Sequence, residues 1–333
     1  MNTSSKNEVI DLLIVGAGVA GSAVALSCPS TFPSIILLHS PDNCDRIESL
    51  SPDASRRLSQ YSIHSGVPYS EVFAWWGSTQ RSIARCPGAR ITSRRELAIQ
   101  IRDAASKFAT VLNCKSNLGV TRNNENWEIT FFDALGVSRL VLAKHICDAT
   151  GRRSAVGRAI GAHRKSFDHL CCLSVSVSDA NHIGTFTEAV SNGWWNLCSD
   201  GVRGTLGFYS TPRIIKQLKG DLRNLFAKTN ELRKVVSVRD DSKAGVSICD
   251  SSLLSPCAGR GWFAVGDAAA TFQPITSTGI AKALRDARNV LSATENHGDQ
   301  YSDQYATEFQ GYLKELQIQY GFENRWRGSE FWK

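Results

Sequence analysis

The sequence predicts a mixed α/β fold, and three stretches carry that prediction. Near the start, "VIDLLIVGAGVAGSAVALSC" passes from an apolar run, Ile10 to Val15, through Gly16, Gly18 and Gly21 into an alanine-rich segment. An apolar run, a G-x-G-x-x-G turn and a helix-forming stretch in that order read as the strand–turn–helix of a Rossmann-like unit. Between Leu170 and Pro212, "LSVSVS", "TFTEAV", "WWNLC" and "TLGFYS" alternate apolar with polar or small residues. That period of two implies an antiparallel sheet with one buried face. From Tyr301 to Gln319 the spacing turns helical, with apolar residues at Tyr305, Phe309, Tyr312, Leu313 and Leu316.

Each element then has a job. In the glycine turn, Gly16 permits the tight bend and Gly18 lets backbone approach a pyrophosphate. Gly21 lets the helix lie close to the strand. The helix start at Val19 and Ala20 offers N–H groups and a positive dipole end to phosphates. The next strand, "SIILLHS", is expected to end in an acid that grips an adenosine ribose. Here His39 takes that place, which leaves Ser40, Asp42, Asp45 or water for the contact and predicts weak adenosine binding. A second strand end follows in "HICDATGRRSAVGR", with Asp148, Gly151, Ser154 and Arg158. A third lies in "GWFAVGDAAATFQPITSTGIAKAL", where Gly266 and Asp267 end a strand, a loop holds Pro274, and Gly279 begins a helix. An acid just after a strand can bind a ribityl or ribose hydroxyl. A helix beginning at Thr278 and Gly279 points N–H groups at an electron-rich carbonyl.

Composition narrows the class of protein. The 333 residues suffice for a large core, and 42% hydrophobic with 21% charged residues is ordinary for a globular chain. "MNTSSKNEV" has no apolar signal-peptide core and no run is long enough to span a bilayer, so a soluble, cytoplasmic protein is expected. Ten scattered cysteines without a CxxC pair read as structural thiols, and no metal site is expected. The net charge of +7 gathers in residues 81–107 and 139–165. No nucleic-acid reader motif accompanies it, so it suits an anionic cofactor or an acidic protein partner rather than nucleic acid.

Together, in this order, the three strand ends resemble the FAD-dependent monooxygenases of the p-hydroxybenzoate hydroxylase type. They match the dinucleotide motif, the "DG" motif (stretched here to D-A-T-G) and the "GD" motif, across Ile10 to Leu284. The resemblance implies bound FAD. Asp267 would lie at the ribityl–pyrophosphate region, Pro274 near the isoalloxazine, and the backbone of Ser277, Thr278, Gly279 and Ile280 at its pyrimidine edge. It implies an FAD-binding domain over 8–165 and 245–300, with a small substrate-side insertion around 60–92. A substrate-domain sheet over 166–244 and a C-terminal helix with an aromatic tail over 301–333 complete the expected division.

"RIESLSPDASRRL" resembles the G-E-[AS]-x-x-P loop of flavin halogenases and their near relatives, with Glu48 and Pro52 in place and Ile47 replacing the glycine. "SRRELAIQIRDAA" resembles the helix whose early arginine, here Arg94, braces the cofactor. Ser49 and Val120 join the implied cofactor-binding set. The halogenase W-x-W-x-I-P is absent: the chain reads Trp194–Trp195–Asn196–Leu197–Cys198, and no counterpart of the halogenase lysine loop is found. "GWW" followed by "GFYSTP", "WGS" at residues 76–78 and the tail "RWRGSEFWK" are closer to another branch. These are the flavoproteins of the LodB/GoxB and QhpG kind, which help mature quinone cofactors. That resemblance implies hydroxylation of a tryptophan in the precursor of a quinone-cofactor oxidase or dehydrogenase. Dioxygen would be co-substrate and NADH or NADPH a possible external electron donor. Alternatives are a halogenase, a geranylgeranyl-reductase-like enzyme and a non-catalytic flavin-binding chaperone.

Such chemistry needs apolar walls that exclude water, and a polar group there could take a proton. Trp76, Trp194, Trp195 and Phe272 are candidate walls, and Glu48 and His64 candidate polar groups. Adjacent strand residues face opposite ways, so at most one of Trp194 and Trp195 is expected to line a pocket. The aromatic tail is either a strap on the core or a docking patch.

Overall fold

A run as apolar as β1 (Val9–Val15) belongs inside a sheet, with a neighbouring strand on each edge and both faces covered. In the computed structural model, which describes residues 8–41, 45–123, 125–178, 180–218, 222–239, 244–290 and 298–332, those neighbours are β2 (Ile35–His39) and β8 (Ser138–Asp148). Both run parallel to β1. The sheet extends from β2 to β6 (Thr110–Asn123), which turns through β7 (Asn126–Asp133) into β8 as an antiparallel meander. The meander thus leaves the parallel strands beside β2 and rejoins them beside β1. β17 (Trp262–Ala264) pairs parallel with β8, and β16 (Ala258–Gly259) completes seven strands.

One consequence of this register matters for function. Leu38, Val15, Asp148 and Ala264 form a single row across four parallel strands. The glycine turn, the "DATG" loop and the "GD" turn therefore leave the same sheet edge side by side. Helix α1 (Val19–Ser27) starts there and packs on α3 (Arg94–Ala105) and α8 (Gly279–Asp286), while α4 (Ala155–Ala159) follows the "DATG" loop.

The second sheet has eight strands in the order β14 (Gly245–Ile248), β10 (Cys171–Ser178), β13 (Arg203–Ser210), β12 (Gly193–Asp200), β11 (Ile183–Val190), β4 (Val67–Trp75), β5 (Ser82–Ser93), β3 (Ile47–Leu50). Four of these strands come from the alternating stretch read in the sequence. One face buries Cys171, Leu173, Val175 and Val177 beneath α5 (Pro212–Leu218), α6 (Leu222–Ala227) and α7 (Leu232–Val235). Buried Glu188 accepts from the N–H groups of Asn230, Glu231 and Leu232 and so anchors the start of α7 to this face. A small third sheet joins β9 (His163–Ser166), β15 (Ser252–Ser255) and β18 (Ala270–Thr271), and α2 (Pro52–Ser59) packs against α8.

The C-terminal helix (Gly298–Gly321) buries Tyr301, Tyr305, Phe309, Tyr312 and Leu316. Beyond it the tail is strapped to the core. The Gly77 N–H donates to buried Glu323 (2.7 Å), and Trp332 Nε1 donates to the Val190 carbonyl (2.8 Å). Among the described residues no helix is long and apolar enough to cross a membrane, and the described cysteines are all unpaired.

Candidate functional site

The shared strand edge is shaped for close backbone approach. Gly16 has φ +112°, and a Cβ there would stand 2.3 Å from the Ala149 carbonyl oxygen. A Cβ on Gly21 would meet the Gly16 carbonyl oxygen at 1.9 Å, so the turn admits no side chain at either place. Gly18 differs: it is exposed, and a Cβ there would meet nothing within 4 Å. No side chain caps α1 at this point and no acid stands in its first turn. Helix α8 repeats the arrangement, with an uncapped start at Thr278, no acid in its first turn, and open space over exposed Gly279. Two helix starts free of acids, opening onto unfilled space, fit an anionic pyrophosphate and an electron-rich ring edge.

A buried ion pair that sequence reading missed fixes the "GD" turn. Lys282 Nζ donates to the Gly266 carbonyl (3.0 Å) and to Asp286 (2.8 Å), whose carboxylate also accepts from the Gly266 N–H (3.2 Å). Gly266 itself has φ +57°, and a Cβ there would stand 2.8 Å from the Ala20 Cβ, so the turn is pressed against α1. Arg164, also missed, donates to the carbonyls of Asp267 and Ala268 and to Ser154 and Ser252, joining the second loop to the third. Burial, then the neighbouring Arg152, lowers the Arg164 pKa to about 10. A lysine at i and an acid at i+4 was the available signal for the first feature. Arg164 gave none.

The remaining predicted residues divide. Exposed Asp267, Pro274, Ser277 and Thr278, with half-buried Ile280, lie along one loop and helix start beside the glycine turn. Gly151, at φ +65°, turns the second loop, and a Cβ there would also meet nothing within 4 Å. His39 ends β2 next to exposed Ser40, and burial followed by the charge of Arg102 lowers its pKa and favours the neutral ring. Asp45 accepts from Ser93 Oγ (2.6 Å), and Asp42 lies outside the described residues. Glu48, on β3, lies 3.5 Å from the Arg94 guanidinium, and Ser49 Oγ is 2.6 Å from Tyr69 Oη. Val120 pairs with Ile129 within the meander and packs on the main core. His64 is exposed in a separate cavity of about 620 Å³, formed by α2 and the 87–90 stretch and lined by none of the predicted cofactor residues.

Three expectations need correction. Asp148, expected at the cofactor, is fully buried, and its carboxylate accepts from Thr150 N, Thr150 Oγ1 and Gly157 N. Burial raises its pKa, and those internal donors oppose the shift. The side chain serves the loop, and it is Ala149 beyond it, through its carbonyl and Cβ, that faces the glycine turn. Trp195 is buried with Phe208 and Phe226 under the helical cover, on the opposite face of β12 from Trp194. Trp194 is on the side of Ile275, but with 1% exposure it is a buttress rather than a wall. Its ring stacks on Tyr209 at 3.9 Å and meets Trp76 edge-on at 6.2 Å. Half-buried Phe272 stacks on Tyr312 (3.9 Å), and Trp76 Nε1 donates to the Gln319 carbonyl.

The face of the second sheet that carries Trp194 is small and polar. Ser174 and Asn196 both register against Gly207, and Asn196 Nδ2 donates to Thr187 Oγ1 (3.0 Å). β3 crosses this face, with the Ile47 N–H on Thr205 Oγ1 (2.8 Å). Between that crossing and the 273–275 turn, the face offers hydrogen-bonding groups at Ser174, Asn196 and Thr205, with the Glu48 carboxylate of β3 beside Cys198.

No family model matches the chain. It is 21% identical to LodB of Marinomonas mediterranea, described as an FAD-dependent oxidoreductase, over 98% of this chain and 96% of that one. Among solved structures, the myxobacterial chondrochloren halogenase CndH, an FAD-dependent halogenase, matches 98% of this chain and 85% of its own with a TM-score of 0.82 at 18% identity. The peptidyl tryptophan dihydroxylase QhpG, essential for tryptophylquinone cofactor biogenesis, matches 98% of this chain and 78% of its own with a TM-score of 0.75 at 16% identity. Along nearly its whole length, then, the chain resembles the FAD-dependent flavoproteins of the LodB and QhpG kind, and it shares its fold with the flavin halogenases.

Proposed function

We propose that this chain is an FAD-dependent monooxygenase that hydroxylates a tryptophan side chain of a precursor protein during maturation of a tryptophylquinone cofactor. The observation that carries the reading is the convergence of the uncapped starts of α1 and α8 with three strand-end turns on one sheet edge. Similarity to LodB over the whole chain and the fold shared with QhpG support it.

In this reading the N–H groups of residues 16–20 hold the pyrophosphate, and neutral His39 with Ser40 meets the adenosine. Asp267 lies at the ribityl chain, and the 274–280 backbone meets the ring. Arg94 and Glu48 brace the far side. Bound FAD, reduced by an external donor such as NADH or NADPH, supplies the oxygen-activating chemistry with dioxygen. The chain's own part is to orient the substrate ring and keep water out. Tyr209, stacked on Trp194, and the neutral groups of Ser174 and Asn196 form the surface against which that ring is held. Such a surface suits an indole, whose N–H needs one acceptor and whose ring needs contact area.

Co-expression with a candidate precursor tests the proposal by peptide mass spectrometry. A yellow protein and oxygen mass on a precursor tryptophan are expected. Halogen mass would favour the halogenase alternative, and an unmodified precursor beside a flavin-loaded protein would refute the hydroxylase.

A further inference from the structure

Gln273 is the last residue before the turn that leads into α8, and it is 5% exposed. Its N–H donates to Tyr312 Oη (2.7 Å), and its carbonyl accepts from the N–H and the hydroxyl of Thr276 (3.3 and 3.1 Å). Holding Gln273 therefore holds the 274–276 turn. Its side chain accepts from Tyr320 Oη (2.8 Å), and Tyr320 Oη in turn accepts from Trp194 Nε1 (3.0 Å). A phenol has one hydrogen to donate, and the single hydrogen of Tyr320 is used by Gln273. Both tyrosines come from the C-terminal helix, which contributes nothing to the glycine turn. Burial raises the Tyr320 pKa, so the hydroxyl keeps its proton through the neutral range.

We propose that Tyr320 is a positioning residue. Its hydroxyl fixes Gln273, and through it the 274–280 loop, at a set place relative to Trp194 on the second sheet. If, as proposed above, that loop meets the flavin ring, Tyr320 sets the spacing between ring and substrate surface without touching either. The relay Trp194–Tyr320–Gln273 is the hydrogen-bonded route from the substrate face to the loop.

Tyr320→Phe keeps the ring and removes both bonds. Its purified protein should fold, bind FAD about tenfold more weakly, and show a shifted visible flavin spectrum, as expected when a buried hydrogen bond that orders a ligand loop is lost. Ser302→Ala is the control: it removes bonds of the same helix to the Cys257 and Ala258 N–H groups, near the helix's other end, and FAD affinity and spectrum should stay as in the parent. Gln273→Leu should reproduce the Tyr320→Phe spectrum, and the double variant should add nothing, because both act through one bond. Equal FAD affinity and spectrum in Tyr320→Phe and parent would overturn the proposal, as would the same shift in Ser302→Ala. A parent protein that takes up no FAD would instead overturn the flavoprotein reading, and this proposal with it.

Discussion

Gly16 and Gly18 stand two residues apart and answer to different constraints. At Gly16 the backbone angle is left-handed and a neighbouring carbonyl occupies the place of a Cβ, so Gly16→Ala meets both strain and a backbone clash. Its cost should be about 2 kcal/mol or more, read as a lowered urea midpoint with or without ligand. At Gly18 the angle is ordinary (φ −78°) and the space is open, so Gly18→Ala should unfold with the parent. Its methyl group would occupy the approach to the α1 N–H groups, and FAD affinity should fall about tenfold. Normal FAD binding by Gly18→Ala would move the pyrophosphate elsewhere. At this scale the sequence showed the turn clearly, because G-x-G-x-x-G has a local steric cause. It did not show how Asp148 is used. An acid just after a strand reads the same whether its carboxylate faces a ligand or, as here, the chain's own N–H groups.

Among the elements, the tail shows what local patterning can and cannot convey. Helical spacing announced the C-terminal helix: Tyr305, Phe309, Tyr312 and Leu316 are buried as expected, Leu313 is half-buried, and Tyr301 joins the buried face. Whether Phe322, Trp326, Phe331 and Trp332 strap or dock depends on partners remote in sequence. The structure puts Glu323, Trp326, Phe331 and Trp332 against Gly77, Trp76, Tyr320 and Val190, while Phe322 stays 60% exposed. Removal of residues 322–333 should therefore destabilise the fold by on the order of 4 kcal/mol or more, since it uncovers several aromatic rings and breaks the buried Glu323 contacts. Urea unfolding of the truncated chain checks this. An unchanged midpoint would make the tail a docking patch instead. The same limit on local patterning hid the edge of the second sheet. β4 joins it by parallel pairing with the distant β11, and the irregular β4–β5 hairpin has no clean alternation to announce that pairing. It also left Trp194 and Trp195 unresolved, because alternation assigns them opposite faces without saying which face the helices cover.

For the molecule as a whole, the titrating groups predict two separate losses of stability on acidification. His39 and His145 both lie on strands of the parallel sheet and both have lowered pKa values. Burial is the main cause for each, aided by Arg102 at His39 and by Lys144 at His145, where the Asp11 carbonyl opposes it. The unfolded chain, with its histidines near 6.5, takes up protons before the folded one does. Their contribution is thus complete above about pH 6.5 and is lost as pH falls through the lowered folded values. A second loss comes from carboxylates held below 3.8, Asp11 by Lys144 and Ser34 and Asp53 by Arg57. Their contribution persists above the unfolded value and disappears as pH drops beneath it. Asp148 acts in the opposite sense: burial raises its pKa, so its protonation favours the fold on acidification and softens the interval between the two steps. Thermal denaturation followed from about pH 8 to pH 3 should show a first decline beginning near 6.5 and a second, steeper one below about 4. Substituting both histidines, His39→Gln with His145→Gln, should flatten the first decline and leave the second in place. Parallel melting-temperature profiles for the parent and the double variant between about pH 6.5 and 5 would show that these two rings are not kept neutral by the fold.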